Sequence, residues 1–277
     1  VPARRKRKAS LILLVGAGRM GSALVKGWIA QGIRRIAAVE PKPGESLVAL
    51  AQANRIGLFK SVDEIAEAAV AACVVALKPQ VLRTEAIRLR PIAQTGALML
   101  SIAAGTDIAT LRKAWRRASI VRAMPNLPGA IGKGITALYA PPNVRPEQRA
   151  LAERLMAGLG TTVWARRESW IDTVTAISGS GPAYVFLFAE ALAAAAREHG
   201  LPAAMAEQLV RATVSGAGAL LDADPRQPSI LRADVTSPGG TTEAALSVLT
   251  KHGAFERLVR EAVAAARRRA EELRQLG

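Results

Sequence analysis

The sequence has a single cysteine, Cys73, among 277 residues, so no disulfide can close within the chain. No Cys/His spacing resembles a zinc site, and no metal is expected. Histidine is almost as scarce. His199 and His252 are the only two, which argues against a histidine-based nucleophilic triad. Aromatic residues make up 4%, poor material for stacking nucleobases. No stretch reads as the roughly 18 apolar residues that span a bilayer. The most apolar segment, Val185 to Ala196, contains Glu190 and runs into Arg197. The basic N-terminus followed by Leu11 to Val15 resembles a secretory signal only briefly, because the apolar run is short and ends in Gly16. A cytoplasmic chain without membrane contact is the expectation.

Half of the residues are hydrophobic and 22% are charged, an ordinary globular composition that excludes disordered and collagen-like classes. The formal net charge is +16. Arg4 to Lys8 are five consecutive cations within a tail, residues 1–9, and the chain stays strongly basic without them. Such a surface attracts anions: metabolites, membrane or nucleic acid. With so few aromatics, nucleic acid is not the expected partner.

Short β-rich runs alternate with helical stretches from residue 10 to about 168. Leu11–Val15, Ile36–Val39, Ala72–Leu77, Leu98–Ile102 and Ser119–Ala123 read as strands, near-continuous in apolar residues as parallel strands buried on both faces are. Ser22–Gln31, Ser46–Asn54 and Val62–Ala69 read as helices. Ser61 with Glu64 three residues on predicts a capping box for the last. Strand–helix alternation predicts a parallel-rich α/β sheet. From 169 to 277 no strand is evident. Pro182–Glu198, Ala203–Leu221, Thr241–Thr250 and Ala254–Leu276 read as helices, separated by a three-proline segment, Asp222–Pro238.

Gly16-Ala17-Gly18-Arg19-Met20-Gly21 fits G-x-G-x-x-G, follows a predicted strand and opens a predicted helix. The glycines permit a tight turn, a close approach of backbone to a pyrophosphate and close helix–strand packing, and the helix N-terminus offers unpaired N–H groups to the phosphates. Glu40 ends the second strand about twenty residues beyond Gly21, where a carboxylate accepts from ribose hydroxyls and favours NAD(H). Arg19, Lys42 and Arg55 are cations that offset its charge, so NADPH and NADH both stay open. Lys78, before Pro79 at a strand end, reads as a cofactor contact or a solvated charge.

In the helical part, Pro238-Gly239-Gly240 followed by Thr241, Thr242 and Glu243 reads as a tight turn entering a helix. It is either a carboxylate receptor with hydroxyls from Ser237 and Thr242, or a helix start capped by Thr241 or Thr242. Ser178-Gly179-Ser180-Gly181-Pro182 reads as a run of small residues for close helix approach rather than a nucleophile turn. His199-Gly200 and His252-Gly253 read as helix ends, and Cys73 as core.

Four stretches carry a family resemblance: Ala76-Leu77-Lys78-Pro79-Gln80, Val121-Arg122-Ala123-Met124-Pro125-Asn126, Ser178 to Tyr184, and Thr236-Ser237-Pro238-Gly239-Gly240-Thr241-Thr242. In this order the chain resembles pyrroline-5-carboxylate reductases, from about Leu11 to Arg269. The resemblance implies a Rossmann-like dinucleotide-binding domain (10–168) and an all-α dimerisation and substrate domain (169–277). It implies reduction of 1-pyrroline-5-carboxylate to L-proline by NADPH or NADH, the last step of proline biosynthesis, in a dimer or higher homo-oligomer. Each site is implied to form between the cofactor cleft of one subunit and the helical domain of its partner. Gly16, Ala17, Gly18, Arg19, Met20, Ala76, Leu77, Lys78, Pro79, Ala103 and Ala104 match residues that hold the cofactor. Ser237, Gly239, Gly240, Thr241 and Thr242 match the substrate loop, with the Thr242 hydroxyl on the ring nitrogen as the catalytic contact. The chain departs from the pattern at Leu127, where threonine is usual, at Gly129, where alanine is common, and at Arg19, often asparagine.

Hydride delivery to a readily protonated cyclic imine asks a protein mainly to orient two reactants and exclude water, which suits a chain poor in histidine. Two other readings compete. A β-hydroxyacid dehydrogenase would need a lysine in the helical part, where only the late Lys251 stands. A non-catalytic dinucleotide-binding protein with a partner-binding basic tail would leave the Ser237–Thr242 loop without a role.

Overall fold

The computed structural model describes residues 11–65 and 70–275; the basic tail and part of the Val62–Ala69 segment lie outside the described residues. The chain divides into two compact units, one formed by residues up to Ser180 together with those from Ala266 on, the other by Gly181–Ala265.

The first unit carries eight strands: β1 (Leu11–Val15), β2 (Ile36–Val39), β3 (Gly57–Phe59), β4 (Val70–Val75), β5 (Leu98–Ser101), β6 (Ser119–Met124), β7 (Gly134–Tyr139) and β8 (Gly160–Trp164). They lie in one sheet in the order β3-β2-β1-β4-β5-β6-β7-β8. The first six pair in parallel, β7 runs antiparallel to β6, and β8 runs parallel to β7. The six-strand part is the doubly wound dinucleotide-binding order, and its switch point lies between β1 and β4. Between the strands run α1 (Arg19–Ala30), α2 (Glu45–Asn54), α3 (Pro79–Glu85), α4 (Arg90–Gln94), α5 (Ile108–Trp115) and α6 (Pro146–Met156).

Successive residues of a strand face opposite sides, so β1 feeds two cores. Ile12 and Leu14 join Leu24, Trp28, Val74 and Leu100 on one face; Leu13 and Val15 join Cys73, Val75, Met99 and Trp115 on the other. Burial on both faces is why these strands read as unbroken apolar runs. Both buried indoles are satisfied: Trp28 donates to the Leu155 carbonyl at 2.8 Å and Trp115 to the Ala86 carbonyl at 2.9 Å.

Several local expectations change. The segment after Ser61 is described as a 3-10 turn, Val62–Ile65. Glu64 there accepts the Ser61 N–H at 2.7 Å and the Ser61 hydroxyl accepts the Asp63 N–H at 3.3 Å, the reciprocal bonding of a cap on a short turn. β3, β7 and β8, and α3 to α6, are not among the expected elements. β7 has no clean alternation, since Thr136 is fully buried beside Ala137 and Leu138. The Gly129 departure has a packing reason: a Cβ there would lie 3.0 Å from that of Leu159.

The chain then forms α7 (Trp170–Val174), a π-helical turn (Thr175–Gly179) and α8 (Gly181–Glu198), continuous as one helix from Trp170 to Glu198. The Ser-Gly-Ser segment bulges this helix rather than interrupting it, and Pro182 sits in the first turn of α8, where its missing N–H costs nothing. Joined in this way, the helix is long and apolar enough by length and composition to cross a membrane, so the expectation that no segment reaches that measure does not hold.

In the second unit, α8 is followed by α9 (Ala203–Ala223), α10 (Pro228–Asp234), α11 (Thr241–Leu249) and α12 (Ala254–Gln275), whose last turns belong to the first unit. α10 falls inside the stretch read as a proline-rich break; Pro228 instead opens the helix at its first position. Only Ala193, Ala206 and Val210 are buried in Gly181–Ala265, while Phe186, Leu187, Phe188, Leu209, Leu220, Leu221, Val248 and Leu258 are exposed. A unit this apolar outside and this small inside is an interaction module.

Candidate active site

β1 ends at Val15 and the chain turns at Gly16, whose φ is +88° and whose backbone faces β4 so closely that a Cβ would lie 2.8 Å from the Ala76 carbonyl oxygen. Only glycine meets both conditions. The Gly16 N–H donates to Val39 and the Ala76 N–H to Val15, so the turn emerges between the ends of β2 and β4. Gly21 lies under the turn, where a Cβ would be 2.3 Å from the Gly16 carbonyl oxygen. Gly18 has the opposite surroundings: nothing lies within 4 Å of its missing Cβ. It is the N-cap of α1, with no side chain capping the helix. The first N–H groups of a twelve-residue helix therefore face open space, which fits a pyrophosphate.

A cleft of about 520 Å³ opens at this edge. Gly16, Gly18, Glu40, Ala76, Leu77 and Lys78 line it, together with Lys60, Ser61, Val81 and Arg88. Six of the expected cofactor residues thus converge on one cavity. Ala17 lies beneath them, and its N–H donates to Glu40 Oε2 at 2.9 Å. Glu40 Oε1 accepts the Lys42 N–H at 3.2 Å. Arg19 and Met20 are the first residues of α1, and Pro79 opens α3 after Lys78. Ala103 and Ala104 are not in this lining. They follow β5 on a loop that leaves the sheet where the Ile102 N–H donates to the Val75 carbonyl at 3.0 Å, beside the Ala76–Lys78 segment. Arg55 caps α2 at the start of β3, the sheet edge opposite the cleft, and so takes no part in offsetting Glu40. Lys60 and Arg88 add to Lys78 as cations lining the cleft, Arg88 being paired with Asp63 and Glu85; neither follows from the glycine-turn pattern, because they sit just after β3 and on the 3-10 turn that follows α3.

Cys73 is fully buried in β4, and burial pushes its thiol up to about 12, so it is core and not a nucleophile. The Asn126 side chain accepts the Ile135 N–H at 2.9 Å, which commits it to pinning the loop before β7.

In the second unit, Ser237 to Gly240 form a turn closed by the Gly240 N–H on the Ser237 carbonyl at 3.0 Å. Gly239 has φ +71°, and a Cβ on Gly240 would meet the Ser237 hydroxyl oxygen at 2.4 Å. Gly240 is the N-cap of α11, with no side-chain cap bond, so Thr241 and Thr242 are the first two helical residues. The Gly239 N–H is engaged by Glu243 Oε2 at 2.7 Å. The N–H groups of Thr241 and Thr242 point out of an uncapped helix end.

A doubly wound sheet with a glycine turn and an open helix end at its switch point, followed by a helical interaction unit, defines a dinucleotide-dependent oxidoreductase. The pyrroline-5-carboxylate reductase of Pseudomonas aeruginosa is 38% identical over 271 residues, covering 96% of this chain and 98% of that one. The chain belongs to the pyrroline-5-carboxylate reductase family and is an NAD(P)H-dependent oxidoreductase acting on 1-pyrroline-5-carboxylate. The pea (Pisum sativum) enzyme is 32% identical over 262 residues, covering 94% of each chain. The structure of the Coxiella burnetii pyrroline-5-carboxylate reductase matches with a TM-score of 0.88 at 35% identity, over 96% of this chain and 99% of that one. The Plasmodium falciparum structure, which has NADP bound, matches with 0.80 at 27% identity, over 96% and 98%. The pyrroline-5-carboxylate reductase dimerisation family matches residues 168–273, and the family described as NADP oxidoreductase, coenzyme F420-dependent, matches residues 11–105.

Proposed function

We propose that Gly16, Ala17, Gly18, Arg19, Met20, Glu40, Ala76, Leu77, Lys78, Pro79, Ala103 and Ala104 hold the cofactor. Ser237, Gly239, Gly240, Thr241 and Thr242 hold the substrate, and Thr242 makes the catalytic contact. When bound, the reduced nicotinamide supplies a hydride to the C=N carbon. The open N-terminus of α1 receives the pyrophosphate, and Glu40 stands at the ribose while it braces the turn. The uncapped start of α11 receives the substrate carboxylate on the Thr241 and Thr242 N–H groups. The Thr242 hydroxyl meets the ring nitrogen, whose charge is lost as the hydride arrives.

The observation that carries the substrate reading is the position of the cap. Because Gly240 and not a threonine caps α11, the two hydroxyls are not spent on the helix end. The exposed apolar side chains of the second unit, those of α8 included, support a homodimer in which they are covered by a second copy. That reading leaves no membrane or nucleic-acid partner to invoke and agrees with a cytoplasmic enzyme. The division at residue 168 between dinucleotide and helical domains belongs to the same proposal. The test is the loss of reduced-nicotinamide absorbance on mixing the protein, pyrroline-5-carboxylate and NADPH or NADH. L-proline as the product is the expected result, and no oxidation with either cofactor would refute the reading.

A further inference from the structure

Away from the cofactor cleft, the first unit gathers two acidic and two basic side chains in one cluster, with Arg122 and Asp172 buried and Glu168 and Arg274 partly exposed. Arg122, on β6, is 2% exposed in the middle of a sheet, a place that disfavours charge. Its guanidinium lies 3.3 Å from Glu168 Oε1 and 3.7 Å from Asp172 Oδ1. Asp172, equally buried on α7, accepts a hydrogen bond from Arg274 Nε in the last turn of α12 at 3.0 Å. The charges balance, and they come from three separate parts of the chain: β6, the segment running from Glu168 into α7, and the end of α12.

The cluster grips one loop, the Ile102–Asp107 segment between β5 and α5, at three points. Ser101, the last residue of β5, is paired in register with Arg122. The Ile108 N–H, at the start of α5, donates to Glu168 Oε1 at 2.8 Å, the same oxygen that pairs with Arg122. Between these, Gly105 turns with φ +65° against Leu273, the residue before Arg274. A Cβ on Gly105 would stand 3.1 Å from the Leu273 Cβ and 3.3 Å from its carbonyl carbon. The loop so held contains Ala103 and Ala104.

We propose that Arg274 is a positioning residue for hydride transfer: through Asp172 and Arg122 it fixes the end of α12 against Gly105, and so sets the Ala103–Ala104 wall against which the nicotinamide half of the cofactor lies. This rests on the reading that Ala103 and Ala104 line the cofactor, and on the strand order, which puts the loop after β5 on the opposite side of the glycine turn from Glu40 at the end of β2. Arg274 touches neither reactant in this arrangement. Its effect is confined to the half of the dinucleotide that meets the loop, because the pyrophosphate and adenosine half lies on α1 and Glu40, which the cluster does not contact.

The experiment measures, on the full-length dimer, binding of NADPH and of ADP-ribose, with kcat and KM for the reaction, in Arg274→Ala, Arg274→Lys, Gly105→Ala and Ala104→Leu. Arg274→Ala is expected to weaken NADPH binding about five- to twentyfold and to lower kcat, with ADP-ribose binding unchanged within twofold. Arg274→Lys restores part of both. Gly105→Ala shifts the same loop from its other side and gives the same split between the two ligands, which keeps the proposal testable if Arg274→Ala does not fold. Equal loss of NADPH and ADP-ribose binding, or a lowered Tm with unchanged kinetics, would overturn it by reducing the cluster to a stabilising device. Unchanged NADPH binding in Ala104→Leu would instead refute the loop as a cofactor wall, and the proposal with it.

Discussion

Glu40 Oε2 accepts the backbone N–H of Ala17 at 2.9 Å, so the carboxylate that ends β2 buttresses the glycine turn that ends β1. The two residues stand 23 apart in sequence and meet because β1 and β2 are neighbours in parallel register. The other oxygen, Oε1, accepts the Lys42 N–H at 3.2 Å, so both serve the backbone, and the proposed ribose contact shares the carboxylate with the turn.

Replacing Glu40 with serine therefore has two effects. It removes an acceptor of two backbone N–H groups, and it removes a negative charge beside the site of a 2′-phosphate. A hydrogen bond to a charged group contributes on the order of 1.5–3 kcal/mol, so kcat/KM with NADH is expected to fall about tenfold or more. The NADPH value falls less, and the NADPH-to-NADH ratio rises. Glu40→Gln keeps an acceptor for Ala17 and moves the ratio the same way with a smaller loss. Steady-state kinetics with both cofactors check this; an unchanged ratio would take Glu40 out of the ribose site.

Glu243 poses the reverse problem in the second unit. Its carboxylate holds the Gly239 N–H at 2.7 Å, inside the loop proposed to receive a substrate carboxylate. Glu243→Gln leaves an oxygen for that N–H and removes the like charge. The expected outcome is a two- to fivefold lower KM for pyrroline-5-carboxylate with kcat nearly unchanged, an effect that shrinks as salt rises. A KM that rises would show that the charge holds the turn and does not oppose the substrate.

How much of this was legible in the sequence depends on distance along the chain. The strands β1, β2, β4, β5 and β6, the glycine turn and the Ser237–Thr242 loop announce themselves locally, through apolar runs and glycines with fixed duties. Strand β8 does not: it begins at Gly160, with φ +130°, packed on the Gly134 backbone, and continues through two threonines. Nor does α10, since a proline at the first helical position looks like a proline in a loop until the following turn is seen. The Arg122–Asp172–Arg274 chain is invisible for another reason. Each member is an ordinary charged residue until α7 and α12 bring them onto β6. The sequence offers Thr241 or Thr242 as the cap of α11, and only the backbone places it at Gly240 instead.

Asp107 gives a pH-dependent prediction. It caps α5 by accepting the Thr110 N–H at 2.8 Å. Burial pushes its pKa up, but the bonds from Thr110 and the charges of Arg122 and Arg274 outweigh that and hold it below the ordinary 3.8. A carboxyl whose pKa is lower in the folded state contributes stability that is complete above the unfolded value and is lost as pH falls through the folded one. Asp107→Ala is therefore expected to cost about 1 kcal/mol at neutral pH. The gap to the parent protein narrows below pH 3.8. Urea unfolding of both proteins across the acid range measures it; a gap that stays constant would mean that the cap does not act through the ionised carboxylate.

Thr242 stands at the second position of α11, where no side chain caps the helix. Removing its hydroxyl should therefore leave stability almost untouched, and the cofactor cleft, built on β1, β2 and β4, should bind NADPH as before. What is lost is a hydrogen bond to a ring nitrogen whose charge changes during the reaction, about 1–3 kcal/mol, or about 5- to 150-fold in kcat/KM. Thr242→Ser keeps the hydroxyl and should keep most of the activity, whereas Thr242→Val keeps the shape and should behave as Thr242→Ala. If the threonine served the helix instead, Thr242→Ala would lower Tm and leave the kinetics near normal, because a lost cap costs about 1 kcal/mol of stability and nothing in the transition state. Measuring Tm, NADPH affinity and kcat/KM on the same preparations separates the two, and a lowered Tm with parental kcat/KM would remove Thr242 from the reaction.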